Sequence, residues 1–134
     1  MNKKAIITVL TIGFMITAFT PKTFDGPKPW KVPDAAKNKK NPACNAESIA
    51  AGKTLWNTHC KSCHGTKGLG DGSKAAQLKT EPGDFSTAAF HAQTDGELFY
   101  KISAGRDDMP SFKKKIPDAE DIWSVVNYVR TLKK

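Results

Sequence analysis

Nothing in this sequence alternates between apolar and polar residues for long enough to lay down a β-sheet, and no segment repeats. Cysteine is scarce, with three in 134 residues. Beyond residue 20 there is a single methionine, Met109. Acids are missing from residues 1–20, where Lys3 and Lys4 carry the only charge. The formal net charge is +8, yet residues 44–134 hold 13 basic and 11 acidic side chains, so little of the excess belongs to the part able to fold. A nucleic-acid binder would carry its basic footprint on the folded domain, beside a reading helix or aromatics. That class is set aside.

What is present divides into three stretches. Asn2-Lys3-Lys4 followed by Ala5 to Thr20, uncharged and largely apolar, reads as an export signal or an N-terminal membrane anchor over residues 1–20. Ala18-Phe19-Thr20 fits a cleavage site only loosely, Pro21 follows it unfavourably, and no cysteine closes the run as a lipoprotein signal would require. Either way a periplasmic or other extracytoplasmic location is expected, with the domain free or tethered through residues 5–20. Residues 21–43 hold five of the eight prolines and six lysines, too little apolar material for a core. They read as an extended linker, or as an arm on the domain surface, with Trp30 in Pro29-Trp30-Lys31-Val32-Pro33 available to dock on a partner. Residues 44–134 are the expected domain. At roughly 90 residues it buries a modest share of its surface and benefits from a cofactor.

Within that domain the periodicity is helical. Asn45 can cap a helix from Glu47 to about Lys61, with Ile49, Gly52, Leu55 and Trp56 at three- and four-residue spacings. Gly65 to Gly83 is punctuated as loop, with room for a short helix at Ser73–Leu78. Thr94 and Glu97 form a capping box for a second helix bearing Leu98, Phe99 and Ile102 and ending at Gly105. After a loop from Arg106 to Ile116, Pro117-Asp118-Ala119-Glu120 opens a last helix. Its apolar face is Ile122, Val125 or Val126, Val129 and Leu132, flanked by Trp123 and Tyr128. The fold expected is all-α, three or more helices around one cofactor.

Cys60-Lys61-Ser62-Cys63-His64 names that cofactor. Two thiols three residues apart at a helix end can add to the two vinyl groups on one porphyrin edge, leaving His64 beneath the iron. A thioredoxin-like site would need a preceding strand and a βαβ frame. A structural zinc site would need a fourth ligand, from Cys44 or His91, at spacings that match no common module. Haem c, attached through Cys60 and Cys63 with His64 as axial ligand, is the expected cofactor. Met109 lies in the polar loop Gly105-Arg106-Asp107-Asp108-Met109-Pro110-Ser111, a poor place for core filler and a good one for a soft second axial ligand. His91 is the reserve candidate, and His59, directly before Cys60, should point elsewhere.

The order of a helix ending in the Cys60–His64 motif, then Gly70-Asp71-Gly72, then Met109-Pro110 and a terminal Ile122-Trp123…Tyr128-Val129 helix resembles the class I c-type cytochromes. The resemblance covers roughly Glu47 to Leu132. It implies first and last helices crossing at a close contact, with Gly52 and Trp56 on one and Tyr128 with Leu132 on the other. It also implies a backbone carbonyl, for which Pro82 is the candidate, accepting from the second nitrogen of His64. The function expected is one-electron transfer in a respiratory chain, not enzymatic catalysis. The alternatives are a haem subunit embedded in a larger membrane complex and, behind it, a haem peroxidase or ligand sensor in which Met109 is labile. Lys113-Lys114-Lys115 could form a rim for redox partners with acidic docking surfaces. Gly68-Leu69-Gly70-Asp71-Gly72 lacks the strand and the Lys-Ser/Thr of a phosphate loop and reads as a tight turn beside the porphyrin. Cys44 has no assigned role.

Overall fold

A computed structural model describes residues 29–134. The signal or anchor expected over 1–20, and the first part of the 21–43 stretch, lie outside the described residues. The described part is all helical, with no strand among its elements. The helices are α1 Asp34–Lys37, α2 Ala46–His59, α3 Lys61–His64, α4 Ala88–His91, α5 Asp95–Ala104 and α6 Ala119–Arg130, with a 3₁₀ turn at Ala75–Gln77.

The three long helices begin where local chemistry says they should. Asn45 Oδ1 accepts from Ser48 N–H at 2.8 Å while Ser48 Oγ accepts from Asn45 N–H at 3.1 Å, a reciprocal cap on α2. Thr94 and Glu97 do the same for α5, at 3.1 and 2.7 Å. Asp118 caps α6, accepting from Glu120 N–H at 2.8 Å.

The frame is the crossing of α2 and α6. A Cβ on Gly52 would lie 1.9 Å from the Ser124 carbonyl oxygen and 2.9 Å from Tyr128 Cβ, so only glycine permits the approach. Trp56 and Tyr128 close the gap one turn on, their ring centroids 5.8 Å apart. Leu132 follows the end of α6, packs against the core and stands beside Gly68. The core gathers Trp56, Cys60, Leu98, Ile102, Phe112, Ile116, Ile122, Trp123, Val125, Val126 and Val129, with Phe85, Phe99, Met109 and Tyr128 against it.

Three expectations need correcting. The motif helix does not run unbroken to Lys61: α2 ends at His59, and Cys60, at φ −115°, starts the separate turn α3. Residues 34–37 are a helical turn, not extended chain, because Pro33 precedes them and Lys37 donates to Asp34 at 2.9 Å. α6 is buried on nearly every side, not along one stripe, including Trp123, Ser124, Asn127 and both Val125 and Val126. Residues 30–43 supply the cover. Lys39 Nζ stands 3.9 Å over the Phe99 ring and 5.7 Å over that of Trp123. Asn127 Nδ2 donates to the Ala43 carbonyl at 2.7 Å and to Ser48 Oγ at 2.9 Å, and its Oδ1 accepts from Asn41 at 2.6 Å.

Candidate haem site

The Cys60–His64 segment is shaped by both of its neighbours. From α2, Cys60 N–H continues the ladder to the Trp56 carbonyl at 2.9 Å, and α3 follows with Cys63 and His64 N–H groups both turning back to the Cys60 carbonyl at 3.1 and 3.0 Å. The glycine-rich loop then folds back over the motif. Gly70 N–H reaches the His64 carbonyl at 2.9 Å, Gly72 N–H the Cys63 carbonyl at 3.2 Å, and Lys74 N–H the Ser62 carbonyl at 2.8 Å. The tight turn read from Gly68 to Gly72 therefore stands directly on the motif.

Cys60 is buried and Cys63 half-buried, and neither is in a disulfide. Burial, then the nearby Cys63 sulfur, pushes the Cys60 thiol up to about 12, so it is neutral at ordinary pH. His64 is enclosed by aromatic rings, with Phe85 at 4.7 Å and Trp56 at 5.7 Å between centroids. The Trp56 indole N–H donates to the Gly65 carbonyl at 3.2 Å and fixes that wall. Burial lowers His64 to about 4, opposed by the Pro82 backbone. The ring is thus a neutral imidazole at neutral pH, the form that ligates metal. Its Nδ1 is buried and has no hydrogen-bond partner, so the Pro82 carbonyl is a near approach and not a formed bond.

Met109 is half-buried against the core that includes Cys60. Its backbone is pinned by a two-way bridge with Arg106: Arg106 N–H donates to the Met109 carbonyl at 2.8 Å, and Met109 N–H to the Arg106 carbonyl at 2.9 Å. The Asp108 carboxylate clips the same turn to the chain passing beside it, accepting from Lys79 and Thr80 N–H at 2.7 and 3.1 Å. Asp108 escaped the sequence reading because its partners lie far away in the chain. Only the unusual pair of acids before the methionine hinted at it.

The other candidates fall outside this group. His59 turns its ring edge to Phe112, 6.1 Å between centroids. His91 packs against Phe90 at 5.3 Å, its carbonyl accepts from Arg130 at 3.1 Å, and its Nε2 is buried without a partner. Cys44 is exposed. Lys113, Lys114 and Lys115 are exposed on a turn held at both ends by the buried Phe112 and Ile116. Among the described residues no cluster of three or more His, Cys, Asp or Glu could hold a bare metal ion. No helix there is long and apolar enough to cross a membrane.

The donor set fits haem c: two thiols on one turn outside any disulfide, a neutral imidazole next to them with an orphaned buried nitrogen, and apolar rings around it. The helix order, the α2–α6 crossing and this site define a class I c-type cytochrome. Residues 47–129 match the family described as cytochrome c oxidase, cbb3-type, subunit III, and the chain belongs to that family. A chain of the Kuenenia stuttgartiensis reducing HAO-like protein complex Kustc0457/Kustc0458 is similar at a TM-score of 0.64 and 26% identity, over 71% of this chain. This chain spans about half the length of that one, 48%. The KustC0563 c-type cytochrome is similar at a TM-score of 0.52 and 28% identity, over 62% of this chain and 98% of its own. No curated protein matches the sequence. Haem-based electron transfer through covalently bound haem c is the shared property of this group.

Proposed function

We propose that the chain is an exported, mono-haem electron carrier of a respiratory chain, its iron held by His64 and Met109 in both oxidation states. Cys60 and Cys63 make the two thioether links, and the bound haem supplies a one-electron iron couple. His64 and Met109 together would hold the iron from the protein and leave substrate no place on it, which supports relay over catalysis. The observation that carries this reading is the half-buried, neutral His64, its Nδ1 shut off from solvent, beside two thiols on a single turn. Residues 1–20 direct the chain out of the cytoplasm or hold it at a membrane, and 44–134 form the electron-transfer domain. Lys113, Lys114 and Lys115 stand ready for a partner with an acidic docking face.

A second reading, a haem subunit embedded in a larger membrane complex, is favoured by the family's description as an oxidase subunit and by the likeness to a chain of a protein complex.

The deciding experiment is an optical redox titration of the exported protein, followed by carbon monoxide. Sharp low-spin ferrous bands, a weak near-red sulfur-to-ferric band and no carbon monoxide binding are expected. A high-spin spectrum and ready carbon monoxide binding would leave Met109 off the iron and bring a peroxidase or sensor forward. Co-purification with a membrane complex separates the subunit from the free shuttle.

A further inference from the structure

Residues 30–43 are fixed to the domain at several independent points. The Thr94 hydroxyl donates to the Lys37 carbonyl at 2.9 Å, and Asn41 donates to the Asp95 carboxylate at 3.1 Å. A Cβ on Gly96 would meet the Ala36 carbonyl oxygen at 2.1 Å, so the arm backbone lies directly on α5. Val32 is buried. This arm is a built part of the molecule, and it delivers Trp30 to the start of the Met109 loop.

There Trp30 meets two cations. Arg106 Cζ lies 4.5 Å from its ring centroid and Lys101 Nζ lies 5.7 Å from it. Lys101 also donates to Gln93 Oε1. Burial lowers the pKa of Lys101; the Glu97 carboxylate opposes this, and the like charge of Arg106 adds to it. The negative face of an indole attracts both cations, and it acts beside the Asp107 carboxylate, 3.3 Å from Arg106 Nε. Arg106 is also the residue whose backbone is bridged in both directions to Met109. Whatever holds Arg106 therefore holds the Met109 backbone.

We propose that Trp30 is a positioning residue for Met109: by drawing Arg106 and Lys101 to one ring it keeps the Met109 turn closed, making the docked arm a brake on exchange of the sixth iron ligand. The inference rests on the reading of Met109 as that ligand. A competing small ligand reaches the iron only in molecules whose loop has opened, so its apparent affinity reports the open fraction.

The test is imidazole titration of the ferric holoprotein, in wild type, Trp30→Ala and Trp30→Phe, followed by loss of the near-red band. Removing the ring should tighten apparent imidazole binding roughly 3- to 10-fold, the range a partly buried cation–π contact allows. Trp30→Phe, which keeps a ring, should stay close to wild type. If Trp30→Ala melts at a lower temperature but binds imidazole as wild type does, the arm is only structural and the proposal is wrong. A wild type without the near-red band, together with a Met109→Ala variant that takes up imidazole no more tightly, would instead sink the ligand assignment and this proposal with it.

Discussion

At the scale of single residues, the three cysteines occupy different physical worlds. Cys44 is exposed, Cys60 is buried with its thiol pushed up to about 12, and Cys63 lies between. In holoprotein carrying haem through Cys60 and Cys63, alkylation at mildly alkaline pH should add one group, on Cys44, as read by intact mass and peptide mapping. Three groups would mean that the haem is not covalently held. Sequence is most legible where chemistry is local: a Cys-x-x-Cys-His turn is complete within five positions. It is least legible at Asp108, Asn41 and Asn127, whose hydrogen bonds reach across the molecule. A buried asparagine whose amide is shared among Ala43, Ser48 and Asn41 leaves no periodic trace, since its polarity argues for the surface.

At the scale of elements, the α2–α6 crossing is the contact most sensitive to one atom group. Gly52→Ala forces a methyl into the Ser124 carbonyl, 1.9 Å away, with backbone and not a flexible side chain in its path. We expect about 2–3 kcal/mol of destabilisation and a fall in Tm on the order of 10 °C, measured by thermal unfolding of the holoprotein. An unchanged Tm would mean that the helices cross elsewhere. The starts of α2, α5 and α6 were legible because caps are written in adjacent residues. The four-residue turns α1 and α4 were not, being too short for any period to register and held in place by the surfaces they touch. The burial of α6 on both faces from Ile122 to Asn127 was hidden for a different reason. Its second face is covered by an arm whose proline and lysine content reads as solvent-exposed linker.

At the scale of the whole molecule, a small core surrounds a site walled by His64, Phe85, Trp56 and the two thiols. The His64 Nδ1 there has no hydrogen-bond partner. Chain expressed with Cys60→Ala and Cys63→Ala, and so without attached haem, should lose most of its helical circular dichroism. A native-like spectrum would refute the idea that the haem completes the core. The charge map belongs to this scale too. Half of the +8 lies on residues 21–43, while 44–134 is nearly balanced, so long-range attraction to an acidic partner would pull at the N-terminal side as well as at Lys113–Lys115.

The meeting of Gly52 with Ser124 joins an early segment of the domain to a late one, and this sets an order of events in time. A ribosome must have made α6 before the crossing can close, and contacts so far apart in sequence are slow to form. Until then Cys60 is not enclosed, and its thiol ionises and reacts as an ordinary one. The same closure that later buries it thus leaves an earlier window in which the chain presents an open Cys-x-x-Cys-His segment, the state that the proposed haem attachment would require.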